Sequence, residues 1–278
     1  GIINTMKVLR GDELALFVKQ RQAKQVRGLR QADRTNPRLA IITCGRTPVI
    51  DTYTRVKQRY GKDILVEVDV YDETITSAPE RIAALNADTN VHGIIVQLPI
   101  SDPQQTDYLL QLIDPAKDVD GLGATPRFTP ATPMAIEWLL VGYGVDIKQP
   151  IALVGAGRLV GGPLAMLWRQ QGLDITVFDE SNAHELATRL PEFPIVVSAT
   201  GVPGLIPSQM LAPGAVFVDA GEDGVIKGDG AADVRERSDL TITPVRGGVG
   251  PLTVAALFDN VITAARQSTE ARRRVVTL

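Results

Sequence analysis

The chain has 278 residues, of which 44% are hydrophobic, and it carries a formal net charge of -3. That length and apolar content are enough for a large buried core, which we expect to be divided between two modest domains. The acidic balance argues against a nucleic-acid partner, which would require a concentrated basic surface. The single cysteine, Cys44, excludes an internal disulfide framework, and with only two histidines a metal site is not expected.

Two features bear on location. No stretch approaches the roughly 20 consecutive apolar residues that span a bilayer. The start of the chain also lacks a basic segment leading into an apolar core and a cleavage site. We therefore expect a cytoplasmic protein with no membrane partner. Residues Gly1 to Thr5, which precede Met6, are either a tag remnant or a native leader.

In chain order, Asp12 is a candidate N-cap for a first helix that fades near Arg30. Strand-like runs follow at residues 39–43, 64–70 and 91–96, separated by helical stretches around Tyr53, Arg81 and Leu110. Strands that alternate with helices predict a parallel sheet covered on both faces.

The same alternation restarts after residues 121–133, which are rich in Pro, Thr and Gly and make a plausible domain boundary. Its predicted strands are residues 151–154, 175–178, 195–199, 216–219 and 240–242. The fold class that we predict is α/β, with an amino-terminal αβα domain and a Rossmann-like, doubly wound parallel sheet.

Four polar residues stand where ligands bind in open α/β sheets, at or near strand ends. Tyr53 and Lys57 are four residues apart, so a helix places them on one face. Gln97 closes the apolar run of the third strand, and Asp120 lies just downstream. Each also has a plainer interpretation: an exposed helical face, a strand cap, or a turn with Gly121.

A glycine turn opens the second block, with Gly155, Gly157 and Gly161 between a strand and a helix that starts near Gly161. Glycines let the backbone approach a pyrophosphate, whose charge meets the free N–H groups of the helix. The spacing is one residue longer than the standard dinucleotide fingerprint, so an ordinary tight turn explains it equally well. Asp179 strengthens the dinucleotide interpretation, because a carboxylate about 20 residues on binds ribose hydroxyls.

Six motifs occur together in a fixed order, and with them the chain resembles the bifunctional methylenetetrahydrofolate dehydrogenase/methenyltetrahydrofolate cyclohydrolase enzymes. The motifs are GRTP leading to YxxxK at 45–57, VQLP at 96–99, PAKDVDG at 115–121, PATP at 130–133, VG through VGGP at 154–163, and TPVRGGVGPLTV at 243–254.

The resemblance implies a folate-binding catalytic domain at residues 1–124, completed by a carboxyl-terminal helix at 254–278. A dinucleotide-binding domain at 125–253 would follow, with the active site in a cleft between the domains. The implied reactions oxidise 5,10-methylenetetrahydrofolate and hydrolyse the methenyl product to 10-formyltetrahydrofolate, both in one-carbon metabolism. The family also implies a homodimer joined through the nucleotide domain.

The resemblance assigns roles to the polar residues. Lys57 takes part in acid-base and hydrolytic steps, Gln97 supports it, Tyr53 flanks the pterin, and Asp120 holds the pterin ring. Further substrate contacts are expected from Leu98, Pro99, Gly248 and Pro251. The expected cofactor contacts are Gly155, Gly157, Arg158, Leu159, Val160, Asp179, Ser181, Thr200, Gly201, Gly221, Gly248 and Thr253.

The chemistry agrees with these residue types. Removing hydride from the methylene bridge leaves a cation shared by two nitrogens, so that step requires alignment with nicotinamide more than a base. Hydrolysis requires a group that exchanges protons near neutral pH. Lysine can do so when burial and a nearby positive charge lower its pKa.

Three departures from the family pattern matter. Ile50 stands where a serine is usual, and Leu122-Gly123 replaces a frequent aromatic-histidine pair. Ala156 replaces an arginine that can serve the extra phosphate of NADP. With carboxylates at Asp179 and Glu180, we expect NAD to be favoured over NADP, although Arg158 would offset part of the repulsion.

Two alternatives to the bifunctional enzyme stay open. One is an NAD-dependent dehydrogenase that has lost cyclohydrolase activity. The other is a catalytically silent sensor of folate or dinucleotide built on the same scaffold.

Overall fold

The structure is a computed structural model that describes residues 7–221 and 228–277. The two interpretations of residues 1–5 lie outside the described residues. Contacts within the chain divide it into two compact units, and each contains a parallel sheet connected through helices. The predicted two-domain α/β class is therefore confirmed.

We name the units by their sheets. The small-sheet unit comprises residues 17–131 and 254–277, and the large-sheet unit comprises residues 7–16, 132–221 and 228–253. The three divisions fall inside helices, namely α1 (Gly11–Ala32), α5 (Ala131–Gly142) and α8 (Val249–Val276). The sequence-based boundaries, with residues 1–124 and 254–278 in one domain and 125–253 in the other, stay a prediction.

In the small sheet, β2 (Arg38–Thr43) is the central strand, between β3 (Glu67–Asp72) and β4 (Gly93–Gln97), and both pairings are parallel. Residues 39–43 are fully buried, as expected for a central parallel strand. The chain adds β3 on one side of β2 and then β4 on the other. This reversal lies between β2 and β4, and ligands bind at such switch points.

The helices of the small-sheet unit are shorter than α1 and α8. They are α2 (Pro48–Asp63), α3 (Ala78–Ala87) and α4 (Thr106–Leu112), with a 3₁₀ turn at Pro103–Gln105. The apolar residues of α3, α4 and the strands pack into one core that includes Ile42, Ile82, Ile94 and Leu110. This core fixes the strand ends where the polar residues lie.

The large sheet has six parallel strands in the order β1-β9-β8-β7-β5-β6. They are β1 (Lys7–Val8), β5 (Ile151–Val154), β6 (Ile175–Phe178), β7 (Ile195–Ser198), β8 (Val216–Asp219) and β9 (Thr241–Ile242). The strand order reverses between β5 and β7, which is the second switch point of the molecule. The helices are α5 (Ala131–Gly142), α6 (Gly161–Gln170) and α7 (Leu186–Arg189), with 3₁₀ turns at Ala183–Glu185, Leu190–Glu192, Ser208–Met210 and Ala232–Glu236.

Several features differ from the sequence predictions. The strand predicted at 64–70 is β3 at Glu67–Asp72, because the N–H groups of residues 64–66 donate to carbonyl groups at the end of α2. Strand β1 was not predicted, because two residues are too few for a periodic pattern. Helix α5 was not predicted either, and it begins inside the proposed linker at 121–133. Asp12 lies in the first turn of α1 and is not its N-cap, since the helix already begins at Gly11.

Among residues 7–221 and 228–277, no helix combines the length and the apolar character needed to cross a membrane.

Candidate active site

A lysine and a glutamine meet at the switch point of the small sheet. Helix α2 starts there because the Thr47 hydroxyl accepts a hydrogen bond from the Ile50 N–H (3.2 Å) and Pro48 occupies the first turn. The helix carries Lys57 back to the end of β4, where its Nζ donates to Gln97 Oε1 at 2.5 Å. The structure therefore brings together two of the four polar residues by direct contact.

Burial sets the acidity of the lysine. Removal from solvent lowers the pKa of Lys57, while the negative charge of Asp120 opposes this and raises it. A nearby positive charge was predicted as a second cause of the lowered pKa, but the charged neighbour that acts on Lys57 is the carboxylate of Asp120. Burial therefore brings the amine closer to exchanging protons near neutral pH.

Asp120 is the third member of the group. Its pKa is raised from 3.8 to about 6, mainly by burial and in smaller part by the negative charge of Asp118, while the positive charge of Lys57 opposes the rise. At pH 7 the carboxylate is mostly ionised and can accept hydrogen bonds. Near pH 6 it gains a proton and loses part of that capacity.

A second carboxylate, Asp118, shapes the turn that carries Asp120. Asp118 is buried, and its oxygens accept from the N–H of Gly121 (3.1 Å) and of Gly123 (2.9 Å). Burial raises the pKa of Asp118, and these backbone donors lower it. Sequence reasoning did not select Asp118, although it lies in the same PAKDVDG motif.

The other predicted substrate residues have these places. Tyr53 lies one turn before Lys57 and is half-buried. Leu98 and Pro99 are joined by a cis peptide bond directly after Gln97. Gly248 and Pro251 belong to the large-sheet unit, at the start of α8.

Ile50, which replaces the usual serine, is only 1% exposed. Its side chain therefore forms part of the buried face of α2. The effect of the missing hydroxyl on rate stays a prediction.

The large-sheet unit contains a cavity of about 680 Å³ beside the carboxyl ends of β5, β6 and β7, next to its switch point. Five predicted cofactor residues line it, together with several that were not predicted. The predicted ones are Gly155, Gly157, Asp179, Ser181 and Thr200, and the additional ones include Ala183, Leu186, Val202 and Leu205. Aliphatic side chains in this part of the chain carry no motif, so sequence gave no means of selecting them.

Seven predicted cofactor residues are not in the lining of this cavity. Arg158, Leu159 and Val160 lie in the turn before α6, Gly201 follows Thr200, Gly221 follows β8, and Gly248 and Thr253 lie at the start of α8. Their roles in cofactor binding stay predictions.

The backbone of the glycine turn fits a dinucleotide pyrophosphate. Gly155 has a φ of +105°, and a Cβ placed on Gly161 would lie 2.1 Å from the Gly155 carbonyl oxygen. The close approach places the amino terminus of α6, the end of a helix that favours negative charge, against the turn. The Gly162 N–H donates to the Gly157 carbonyl at 2.8 Å and Pro163 has no N–H, so neither residue is a donor for a phosphate. Asp179 follows β6 and accepts hydrogen bonds from the N–H and hydroxyl of Ser181. The turn and the carboxylate together fit the pyrophosphate and ribose of such a cofactor.

Another acidic residue, Asp229, holds the loop after β7. Its Oδ2 accepts from the Ser198 hydroxyl (2.6 Å) and from the Thr200 N–H (2.7 Å), and the residue is fully buried. Sequence reasoning missed it because it lies in an irregular segment, remote in sequence from the glycine turn.

Within the described ranges, no cluster of three or more His, Cys, Asp or Glu side chains is arranged to hold a metal ion.

Comparison with known protein families assigns both parts of the chain. Residues 9–120 match the catalytic domain of tetrahydrofolate dehydrogenase/cyclohydrolase, and residues 130–269 match its NAD(P)-binding domain. The chain belongs to the tetrahydrofolate dehydrogenase/cyclohydrolase family. The resemblance inferred from the six motifs is thereby confirmed.

Relatives within the family match along nearly the whole length. The bifunctional protein FolD of Bordetella bronchiseptica is 35% identical over 283 residues, covering 95% of this chain and 99% of the relative. The FolD structure from Campylobacter jejuni has a TM-score of 0.87 at 29% identity, with 94% and 99% of the two chains covered. The Trypanosoma brucei enzyme, solved with NADP and an inhibitor, has a TM-score of 0.86 at 28% identity and covers 95% and 98%.

Proposed function

We propose that this chain carries out both family reactions, with Lys57 moving protons and Asp120 holding the substrate. As a member of the family it is a methylenetetrahydrofolate dehydrogenase and methenyltetrahydrofolate cyclohydrolase. The observation that supports the assignment of roles is the bond from Lys57 to Gln97, beside the carboxylate of Asp120. This hydrogen bond holds the Lys57 amine, whose pKa is lowered, against a fixed acceptor at the switch point of the small sheet.

Substrate binding is assigned to Asp120 and Tyr53. An ionised carboxylate accepts two hydrogen bonds from the amino and ring N–H groups of a pterin. Tyr53, one turn from Lys57 on the same helix, supplies an aromatic surface for the pterin ring. These two contacts orient the one-carbon bridge relative to the lysine.

Oxidation requires no proton transfer by the protein. A bound nicotinamide would supply the acceptor for the hydride of the methylene bridge, and the methenyl cation would remain. The contribution of this chain is alignment: the glycine turn and Asp179 hold the dinucleotide, and Asp120 holds the pterin.

Hydrolysis is where Lys57 moves protons. Water adds to the methenyl carbon and gives a proton to the neutral amine of Lys57. The resulting ammonium then donates its proton to ring nitrogen N5 as the bond between N5 and that carbon breaks. The hydroxyl proton passes to solvent water as the formyl carbonyl forms on N10. Gln97 holds the amine in place through its Oε1.

The cyclohydrolase step can be tested without any cofactor. Purified protein is given the methenyl compound alone, and its absorbance is followed against the spontaneous rate. We expect rapid loss with formation of 10-formyltetrahydrofolate. Persistence of the methenyl compound beside an active dehydrogenase would instead support the monofunctional alternative, and the absence of both activities would support the sensor.

We also propose that NAD is favoured over NADP. Ala156, Asp179 and Glu180 line the cavity, whereas Arg158 is not part of that lining. A carboxylate about 4 Å from a unit negative charge costs about 4 kcal/mol at an effective dielectric of about 20. The extra phosphate of NADP would meet this repulsion beside the ribose.

Initial rates at equal concentrations of NAD and NADP test the preference. Faster reduction of NADP would overturn it, and the NADP bound to the Trypanosoma brucei relative makes this comparison necessary. The homodimer joined through the large-sheet unit and the cytoplasmic location stay predictions.

A further inference from the structure

The segment from Val119 to Thr129 forms a loop whose two ends are held by one side chain. Asn260, on helix α8, donates from Nδ2 to the Val119 carbonyl at 3.0 Å and to the Thr129 carbonyl at 2.9 Å. We call residues 119–129 the Asp120 loop. Asp120 is therefore the next residue after one of the two anchored carbonyl groups.

The Asp120 loop also closes on itself between these anchors. Gly121 has a φ of +67°, and a Cβ added there would lie 2.3 Å from the Phe128 carbonyl oxygen. Phe128 is 8% exposed, whereas residues 124–127 at the tip are exposed. The base of the loop is thus packed while its tip is in solvent.

Asn260 lies on an apolar part of α8. The helix residues around it, including Ala256, Leu257 and Val261, are buried, and Asn260 itself is 6% exposed. A buried carboxamide is costly unless its hydrogen bonds are made. Both amide hydrogens of Asn260 are directed at the loop, so a specific polar contact replaces the aliphatic packing that the position would otherwise favour.

We propose that Asn260 is a positioning residue that acts through Asp120, by fixing the Asp120 loop so that the carboxylate stays beside Lys57. This role rests on the proposed function of Asp120 in holding the pterin. Asp118 anchors the same turn from inside through the Gly121 and Gly123 N–H groups. Asn260 donates hydrogen bonds to both ends of the loop.

The pKa of Asp120 can report whether Asn260 holds the loop in place. Burial is the largest cause of the raised pKa of Asp120, and Asp118 adds to it while Lys57 opposes it. A loop released from Asn260 would let water reach the carboxylate, and its pKa would fall. A general loss of stability would not produce that change in the folded fraction.

The experiment compares Asn260→Leu and Asn260→Ser with the matched control Gln267→Leu, which removes an exposed carboxamide from the same helix. We expect both Asn260 variants to raise KM for methylenetetrahydrofolate by about tenfold, with a smaller change in kcat. KM for NAD should not change. The acidic limb of kcat/KM for the folate, near pH 6 in the parent, should move to lower pH.

The Asp120→Asn variant distinguishes a failure of the proposed Asp120 function from a failure of the Asn260 role alone. If it raises KM for the folate while soluble Asn260 variants leave both KM and the acidic limb unchanged, Asp120 keeps its role and the positioning role of Asn260 is overturned. If Asp120→Asn itself leaves KM unchanged, the function of Asp120 fails and Asn260 loses its role with it. Should Asn260→Leu fail to fold, Asn260→Ser decides, because its smaller polar side chain requires no added volume.

Discussion

The two switch points of the molecule differ in the chemical groups that form them, which are side chains at one and mainly backbone at the other. In the small-sheet unit the site consists of side chains, with the amine of Lys57, the carboxamide of Gln97 and the carboxylate of Asp120. In the large-sheet unit the glycine turn of Gly155 and Gly161 contributes mainly backbone. We propose that the same α/β topology supports proton chemistry at one sheet and anion binding at the other.

This difference predicts different responses to substitution. At the small sheet, a changed functional group should alter chemistry and can even relieve the cost of a buried charge. At the large sheet, one added methyl group should obstruct the backbone without changing any proton transfer.

The largest effect is expected at Lys57. Lys57→Met should lower cyclohydrolase turnover by at least about 100-fold, since general acid-base groups contribute about 10²–10⁴. Because burial lowers the pKa of Lys57, its charged form is disfavoured in the folded state, and the variant should be more stable to heat at pH 7.

Lys62→Met is the matched control, because Lys62 is an exposed residue in the last turn of the same helix. Its hydrolysis of the methenyl compound should equal that of the parent protein. Turnover that survives in Lys57→Met would remove the lysine from the mechanism.

The next effect is expected at Gly161. A Cβ there would lie 2.1 Å from the Gly155 carbonyl oxygen, so Gly161→Ala must displace the turn. We expect KM for NAD to rise by about 100-fold, because a misplacement of about 1 Å can cost that much. Hydrolysis of the methenyl compound, which requires no cofactor, should be retained.

Gly28→Ala serves as the control, because a Cβ at this position of α1 meets no atom within 4 Å. A parallel loss of hydrolysis in Gly161→Ala would mean that the change is not confined to nucleotide binding.

A smaller effect is expected at Asp120. Asp120→Asn should raise KM for the folate by about tenfold, since one accepted hydrogen bond to a charged group is lost. The dependence of KM on pH near 6 should disappear with the carboxylate.

Stability gives an independent check of the same variant. The folded pKa of about 6 lies above the ordinary value of 3.8, so the ionised carboxylate costs stability above about pH 6 and costs nothing below about pH 4. Asp120→Asn should therefore raise the free energy of unfolding at pH 7 by about 1–3 kcal/mol, and by much less at pH 4. Urea denaturation at the two pH values measures this, and an equal change at both would contradict the pKa.

Sequence patterns predicted most of the two sheets. The strands at Ile151–Val154, Ile175–Phe178 and Val216–Asp219 have the predicted bounds, because buried parallel strands are short apolar runs between breakers. Helix α5 was missed since it is apolar on most faces and has no helical contrast. Helix α8 covers Val249–Val276, so it begins before the predicted range of 254–278, and it continues through a polar, arginine-rich stretch without a breaker.

The residues of the candidate site also differ in whether the sequence could predict them. Lys57, Gln97 and Asp179 were predictable because each stands at a fixed offset from a strand or along a helix. Asn260 was not, because its partners are backbone carbonyls more than 100 residues away in sequence. The pKa of Asp120 also depends on burial, which a linear pattern does not contain.

We propose that one chain combines a nucleotide site built from backbone with the proton chemistry of the Lys57 side chain. The most direct measurement mixes the purified protein with methylenetetrahydrofolate and NAD and follows reduced cofactor and methenyl compound together. We predict steady formation of reduced cofactor while the methenyl compound stays low and 10-formyltetrahydrofolate accumulates. Equal accumulation of reduced cofactor and methenyl compound, with no formyl product above the spontaneous rate, would contradict the claim.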